Sequence, residues 1–131
     1  MEVVRQLMAL GERARESGMP PPHTDLVIPD AEIDMSRRVF NPEIYRGFEG
    51  WARLNRELRE VWAEWRVTAE RLIDVGDRVI SIETIRGRGR GSGAETEGRF
   101  ASIWTLQDGR VTRVEIGLDV EEALRAVGLE Q

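Results

Sequence analysis

Residues 94–118, AETEGRFASIWTLQDGRVTRVEIGL, narrow the possible folds more than any other part of this chain. Asp108-Gly109 stands between two runs that alternate apolar and polar residues, a strong short-range hairpin signal. Alternation sends successive side chains to opposite faces of a sheet, so the segment supplies two antiparallel strands with one face to be covered. The connection reads two ways. A two-residue loop puts Arg113 and Glu115 beside Trp104 and Ser102. A three-residue loop with a bulge at Gly109 puts Val114 and Ile116 there, because a slip of one residue moves every side chain to the other face.

The other segments extend this sheet or cover it. Val3, Val4, Leu7, Met8 and Leu10 recur at helical spacing and predict a first helix ending near Gly18, broken by residues 19–22. Residues 31–40 alternate weakly and predict a first strand. Asn41-Pro42 marks a turn, and residues 44–47 a short strand after it. Trp51, Leu54, Leu58, Val61, Trp62 and Trp65 step by three or four, predicting a helix whose apolar stripe packs on the sheet. Gly76-Asp77 is a turn before a strand over residues 78–90, which carries a β-branched run. Asp119 and Glu122 form a reciprocal capping pattern for a last helix bearing Leu124, Val127 and Leu129, ended by Gly128. These elements predict a single α+β domain over residues 1–131, a mostly antiparallel sheet with about three helices on one face.

Charge and composition exclude several functions. The net charge of −5 argues against a nucleic-acid partner, since phosphate binding needs a basic surface. All nineteen basic residues are arginine, a coding bias rather than a recognition device. The chain has no cysteine, hence no disulfide, thiolate nucleophile or cysteine metal site. No apolar run approaches the ~20 residues of a membrane span, and the amino terminus lacks a signal-peptide core. A cytoplasmic protein with no membrane partner is expected.

RGRGRGSG, residues 86–93, invites a phosphate-loop reading, but such glycines must follow a strand and open a helix. Here a strand follows, so the motif reads as a twisted hairpin end. Pairing Arg90 with Glu95 and Arg88 with Glu97 gives two attractive contacts, at the cost of Arg86 facing Arg99. The same register sets Ile85 against Phe100, Ile82 against Ile103, and Glu83 against Ser102, on the face of Phe100, Trp104 and Leu106. A carboxylate among aromatic neighbours can act as an acid or base. The plainer reading leaves Glu83 at the wet end of the sheet or paired with an arginine. His23, after three prolines, reads as a loop residue, and no metal site is predicted. Asp30, Glu32 and Asp34 share one strand face, which reads as solvated rather than as a cation site.

NPEIYRGFEGW, RFASIWTLQDGRVTRVEIGLD and EEALRAVGL, in this order of elements, resemble the SnoaL-like branch of the nuclear-transport-factor-two-like superfamily. The resemblance implies a cone-shaped fold, a curved sheet wrapped around helices with a pocket at the open end. It implies little about activity, because this fold hosts isomerases, cyclases, hydrolases, dehydratases and plain binders. The general-base aspartate of ketosteroid isomerases corresponds here to Met35, or to Asp34 if the alignment slips by one. Their first-helix tyrosine corresponds to Leu7 and their oxyanion-stabilising aspartate to Ser102. The last-strand acid of polyketide cyclases corresponds to Ile116. The family's pattern also favours the bulged register, giving an apolar pocket of Met35, Phe100, Trp104, Val114, Ile116 and Leu118. Ala101, Ile103 and Thr105 on the other sheet face are then available to a homodimer partner.

The leading expectation is a binder of a small hydrophobic molecule, without a cofactor. The alternative is an isomerase or cyclase acting on a polyketide- or steroid-like ring, with Glu83 or Asp34 as carboxylate base and Ser102 orienting. A third reading is a structural dimer module whose cone is plugged by its own side chains.

Overall fold

Asp108 and Gly109 both adopt positive φ, 54° and 77°, the backbone of a two-residue hairpin turn. Around that turn the computed structural model describes residues 2–17, 25–37 and 42–128. His23, the proline run, Asn41 and Leu129 lie outside the described residues. In chain order the elements are α1 (Glu2–Ser17), β1 (Val27–Asp34), β2 (Ile44–Arg46), α2 (Gly47–Val61), β3 (Trp62–Val75), β4 (Arg78–Gly89), β5 (Glu95–Gln107), β6 (Arg110–Leu118) and α3 (Val120–Ala126). The strands form one six-stranded open sheet in the order β2-β1-β6-β5-β4-β3. Its pairings are antiparallel except that of β1 with β6. Among the described residues no helix is long and apolar enough to cross a membrane.

The central hairpin combines features of both expected loops. Gln107 pairs with Arg110, so the connection is the short one. One step on, Leu106 pairs with Val111, but the next residue, Thr105, pairs with Arg113, leaving Thr112 as an inserted residue. Thr112 Oγ1–H donates to the Thr105 carbonyl at 3.3 Å across this bulge. The insertion inverts the faces, so Val114 lies opposite Trp104 and Ile116 opposite Ser102. A second insertion at Gly117, with φ of 85°, inverts them again, and Leu118 pairs with Ala101.

That second inversion determines where α3 goes. Leu118 joins Ile80, Ile82, Ala101 and Ile103 on the sheet face away from α1 and α2, and Val120, Ala123 and Leu124 of α3 cover them. The helices are therefore divided between the two faces, contrary to the one-sided arrangement expected from sequence. Ala101 and Ile103, expected to meet a dimer partner, are 0% and 2% exposed beneath α3 of the same chain. The open part of that face carries charged residues, among them Arg86, Arg88, Glu95, Glu97 and Arg99. Asp119 caps α3 by accepting from the N–H groups of Glu121 at 3.0 Å and Glu122 at 3.3 Å. The Glu122 carboxylate meets Arg37 at 2.5 Å rather than completing a reciprocal cap.

The register of β4 on β5 differs by two residues from the sequence reading. Arg86 pairs with Glu97, Arg88 with Glu95, Glu83 with Phe100, Ile85 with Gly98 and Ile82 with Ala101. This slide removes the Arg86–Arg99 repulsion, and Arg86 holds Glu97 at 2.7 Å. A two-residue slide preserves faces, so Glu83 and Ser102 remain on the same side.

Two further boundaries moved. β1 covers Val27–Asp34 rather than residues 31–40. Its pairing with β6 is irregular between Val27 and Glu32, which accommodates Pro29, a residue without an N–H to give. The second change is at α2, expected to reach Trp65 but ending at Val61. Trp65, Val67 and Ala69 also fit a period of two, and pairing with Gly87, Ile85 and Glu83 of β4 decides for strand. Arg90 stabilises the abrupt end of the helix: its Nε donates to the Arg59 carbonyl at 2.8 Å and its Nη2 to that of Trp62 at 3.2 Å.

Period two also explains RGRGRG. Arg86 and Arg88 face outward, and Gly87 lies under the Trp62 ring, where a Cβ would come within 2.8 Å of Cε3. Gly87→Ala should therefore lower stability by about 1–3 kcal/mol through overpacking. Gly98→Ala, whose Cβ would meet Ile85 at an ordinary 3.7 Å, should leave urea unfolding nearly unchanged. Equal midpoints for the two variants would contradict this role for Gly87.

Candidate functional site

The face inversion at Thr112 turns apolar side chains of β6 towards α1 and α2, and a cavity of about 710 Å³ lies between these helices and the sheet. Leu7 and Met8 of α1 and Trp51, Leu54 and Leu58 of α2 form one wall. Met35, Ile85, Phe100, Trp104 and Ile116 line the sheet side, with Trp65 and Val67 towards the β3 edge. Phe48 stacks on Trp51 at 6.5 Å between ring centroids. A second cleft of about 640 Å³, bordered by Trp62 and several arginines, shares Trp65 and Glu12 with the first.

Met35, Phe100, Trp104, Ile116, Glu83 and Ser102, all picked out from sequence, line the main cavity. Val114 faces the same side but is 7% exposed and packs behind the wall. Leu118 is displaced to the α3 side, because the Gly117 insertion breaks the alternation that had placed it in the pocket. The helical residues Trp51, Leu54 and Leu58 were read from sequence as packing. Helical periodicity shows that a stripe faces inward but carries no signal for whether it meets side chains or space.

Two carboxylates were named as bases, and their surroundings separate them. Glu83 is 5% exposed and reaches the cavity wall. Ser81, fully buried beside it, donates its hydroxyl hydrogen to Glu83 Oε2 at 2.9 Å. The Trp104 indole N–H in turn donates to Ser81 Oγ at 2.9 Å. Ser81 was not singled out from sequence, since one serine within a β-branched run carries no sign of its partners.

Asp34 points to the other face and does not line the cavity, so the structure withdraws it as a base for chemistry there. It pairs with Glu115 of β6, and the Arg113 guanidinium meets it at 2.5 Å, Glu32 at 3.0 Å and Glu115 at 3.4 Å. The Ser36 N–H donates to its other oxygen at 2.8 Å. Burial pushes the Asp34 carboxyl up, but hydrogen bonds from Ser36 and the charges of Arg113 and Arg37 outweigh it and hold the group below its ordinary 3.8. Such a carboxylate stays ionised and committed to its arginine.

A family model for the SnoaL-like domain matches residues 9–114. No curated protein matches the sequence. Among solved structures, a nuclear-transport-factor-two-like protein of unknown function from Burkholderia pseudomallei K96243 superposes with a TM-score of 0.72 at 20% identity. That match covers 98% of this chain and 99% of the other. TerC, co-crystallised with polyporic acid, gives 0.71 at 21% identity over 96% and 95% of the two chains. A hypothetical protein with a ketosteroid isomerase-like fold from Catenulispora acidiphila DSM 44928, in complex with trimethylamine, gives 0.72 at 15% identity over 98% and 93%.

The depressed Asp34 value fixes the sign of a pH effect. Its contribution to stability is complete above the unfolded value and is lost as pH falls through the folded one. Asp34→Asn should cost about 1–3 kcal/mol at neutral pH, the scale of hydrogen bonds to a charged group. Urea midpoints followed from neutrality to about pH 2 should fall less steeply on the acid side for the variant than for the parent. Parallel curves would remove Asp34 as the source.

Proposed function

The chain belongs to the SnoaL-like domain family, and on that premise we propose that it binds a compact, largely apolar small molecule between α1, α2 and the sheet. The observation that carries this reading is the composition of the cavity wall: its buried part sets aromatic and aliphatic side chains around Glu83, Ser102 and Asn55, while the exposed residues Arg5, Glu12, Thr68, Glu70 and Arg71 complete the lining. Small-molecule sites are characteristically of this kind, with volumes of roughly 300–1,000 Å³, and the cavity falls in that range. Two neighbours of the same fold were crystallised with small molecules, polyporic acid and trimethylamine, which supports this use of the architecture.

A second reading is favoured by one observation, the presence of Glu83 in that wall. It is a polyketide cyclase- or isomerase-type enzyme, in which a carboxylate beside the bound ring takes up or returns a proton. Ser102 lies two residue pairs along from Glu83, opposite Ser81 on the same face, and orients the substrate in this reading. Asn55 donates to the Trp51 carbonyl at 2.9 Å and so helps fix the helical wall.

N-phenyl-1-naphthylamine, an apolar dye that brightens in non-aqueous surroundings, tests the binding reading. Saturable binding of one dye per chain is expected, and Ile116→Arg should abolish it by placing a charge in the wall. Absence of saturable binding, or binding undiminished by Ile116→Arg, would overturn the proposal.

A further inference from the structure

Cross-strand pairs on the inner face of β3 and β4 form a row in which one side chain belongs to two spaces. Residues directly opposite each other in such a pair share a face of the sheet. Towards the β4–β5 turn the row runs Leu72 with Ser81, Ala69 with Glu83, Val67 with Ile85, Trp65 with Gly87 and Trp62 with Gly89. Irregularities between Trp62 and Glu64 and between Ala69 and Arg71 keep all these pairs on one face. Ala69, Glu83, Val67 and Ile85 line the main cavity alone, and Trp62 and Gly87 line the arginine-bordered cleft alone. Trp65 lines both.

Two indoles stand at the ends of the open part of this row. At one end Trp104 reaches across from β5, its Nε1–H donating to Oγ of the fully buried Ser81 at 2.9 Å. At the other end Trp65 faces Gly87, which sets no side chain against it. The room over Gly87 is taken by the Trp62 ring, whose Cε3 would lie 2.8 Å from a Cβ there. α2 changes over at the same level, since Leu58 lines the cavity and Arg59 the cleft. Glu12 of α1 also borders both spaces but is exposed, whereas Trp65 is half-buried. Ser81 and Gly87 are six positions apart, about 20 Å of extended strand. The indoles occupy the two ends of that span, and the Glu83 and Ile85 pairs between them leave floor for two linked phenyl rings.

We propose that Trp65 is the length-determining residue of the binding site. Its indole stops a guest at the Gly87 pair, so the cavity takes an apolar body of two linked rings, and a smaller side chain at position 65 admits a third. This rests on the binding reading above and adds the shape class of the guest and the residue that imposes it. Trp104 closes the opposite end, where Ser81 is sealed from solvent and gives no room for extension. Past Trp65 the space continues into the cleft, so that end alone can be lengthened by one substitution.

Competition against N-phenyl-1-naphthylamine tests this with 4-phenylphenol and 4-hydroxy-p-terphenyl, which differ only by the third ring. In the parent protein the third ring should improve affinity by less than about threefold. In Trp65→Ala it should improve affinity by about tenfold or more, the worth of burying a phenyl group. Trp62→Ala, altered on the cleft side only, should keep the parent ratio. Trp65→Phe, a milder change that keeps an aromatic ring in the wall, should give an intermediate ratio and serves if Trp65→Ala does not fold. A tenfold preference for the terphenyl in the parent, a ratio unmoved in the Trp65 variants, or an equal rise in Trp62→Ala would overturn the role of Trp65. If neither the dye nor either phenol binds the parent, the binding reading falls with it. Displacement of the dye by 4-phenylphenol with unmoved ratios leaves that reading standing and removes only the length limit.

Discussion

Strict alternation of side chains across a pleated sheet is the constraint on which this molecule depends, and β6 breaks it twice. Without the insertion at Thr112, Arg113 and Glu115 would point at Trp104 and Ser102, and charge would fill the space beneath the helices. With it, Val114 and Ile116 point there, while Arg113 turns outward to gather Glu32, Asp34 and Glu115. The insertion at Gly117 reverses the faces again and delivers Leu118 and α3 to the far side. Two single-residue insertions thus decide which face is apolar cavity, which is buried core and which is ionic.

Much of the architecture was legible in the sequence because it rests on period two and on turn chemistry. Asp108-Gly109 identified the hairpin, and the alternation of its strands identified the faces. The register of β4 on β5 was misjudged by an even number, so Glu83 kept its side. Resemblance to the SnoaL-like family favoured Val114 and Ile116 over Arg113 and Glu115, but with the bulge at Gly109 rather than at Thr112, where the structure has it. Leu118 was lost for the complementary reason: a single glycine gives no sign, in one sequence, of whether it bends a strand or merely occupies it. Trp65 satisfied helical spacing with Trp62 and strand spacing with Val67 and Ala69, and only the pairing with β4 distinguished the two. Pro29 concealed the start of β1, since proline argues against a strand where no neighbouring bulge is known.

Glu83 and Asp34 show how the same functional group is given opposite roles by its surroundings. Asp34 is surrounded by guanidinium and N–H donors and serves as a strut between β1 and β6. Glu83 receives a neutral hydroxyl from a buried serine and lines the cavity. In the sequence the two looked equally eligible, because each is an acidic residue in an alternating strand. What separates them is one side of a sheet, decided some eighty residues away for Asp34 by the partner that β6 presents to it.

The anchoring of α2 has a mechanical consequence. At its start, Gly47 packs so closely on the Pro29 carbonyl that a Cβ there would lie 2.7 Å from the oxygen, and a Cβ at Gly50 would lie 3.1 Å from the Tyr45 backbone. The Tyr45 hydroxyl donates to Glu57 at 2.5 Å, and Arg53 lies 4.5 Å over the tyrosine ring. At its end the helix runs into β3 without a loop, and Arg90 reaches across from the far hairpin to its last carbonyls. A rod clamped at both ends serves as a beam rather than a hinge. Trp51, Leu54 and Leu58 accordingly keep fixed positions relative to the sheet, a rigid jaw against which a guest of defined shape can be gauged.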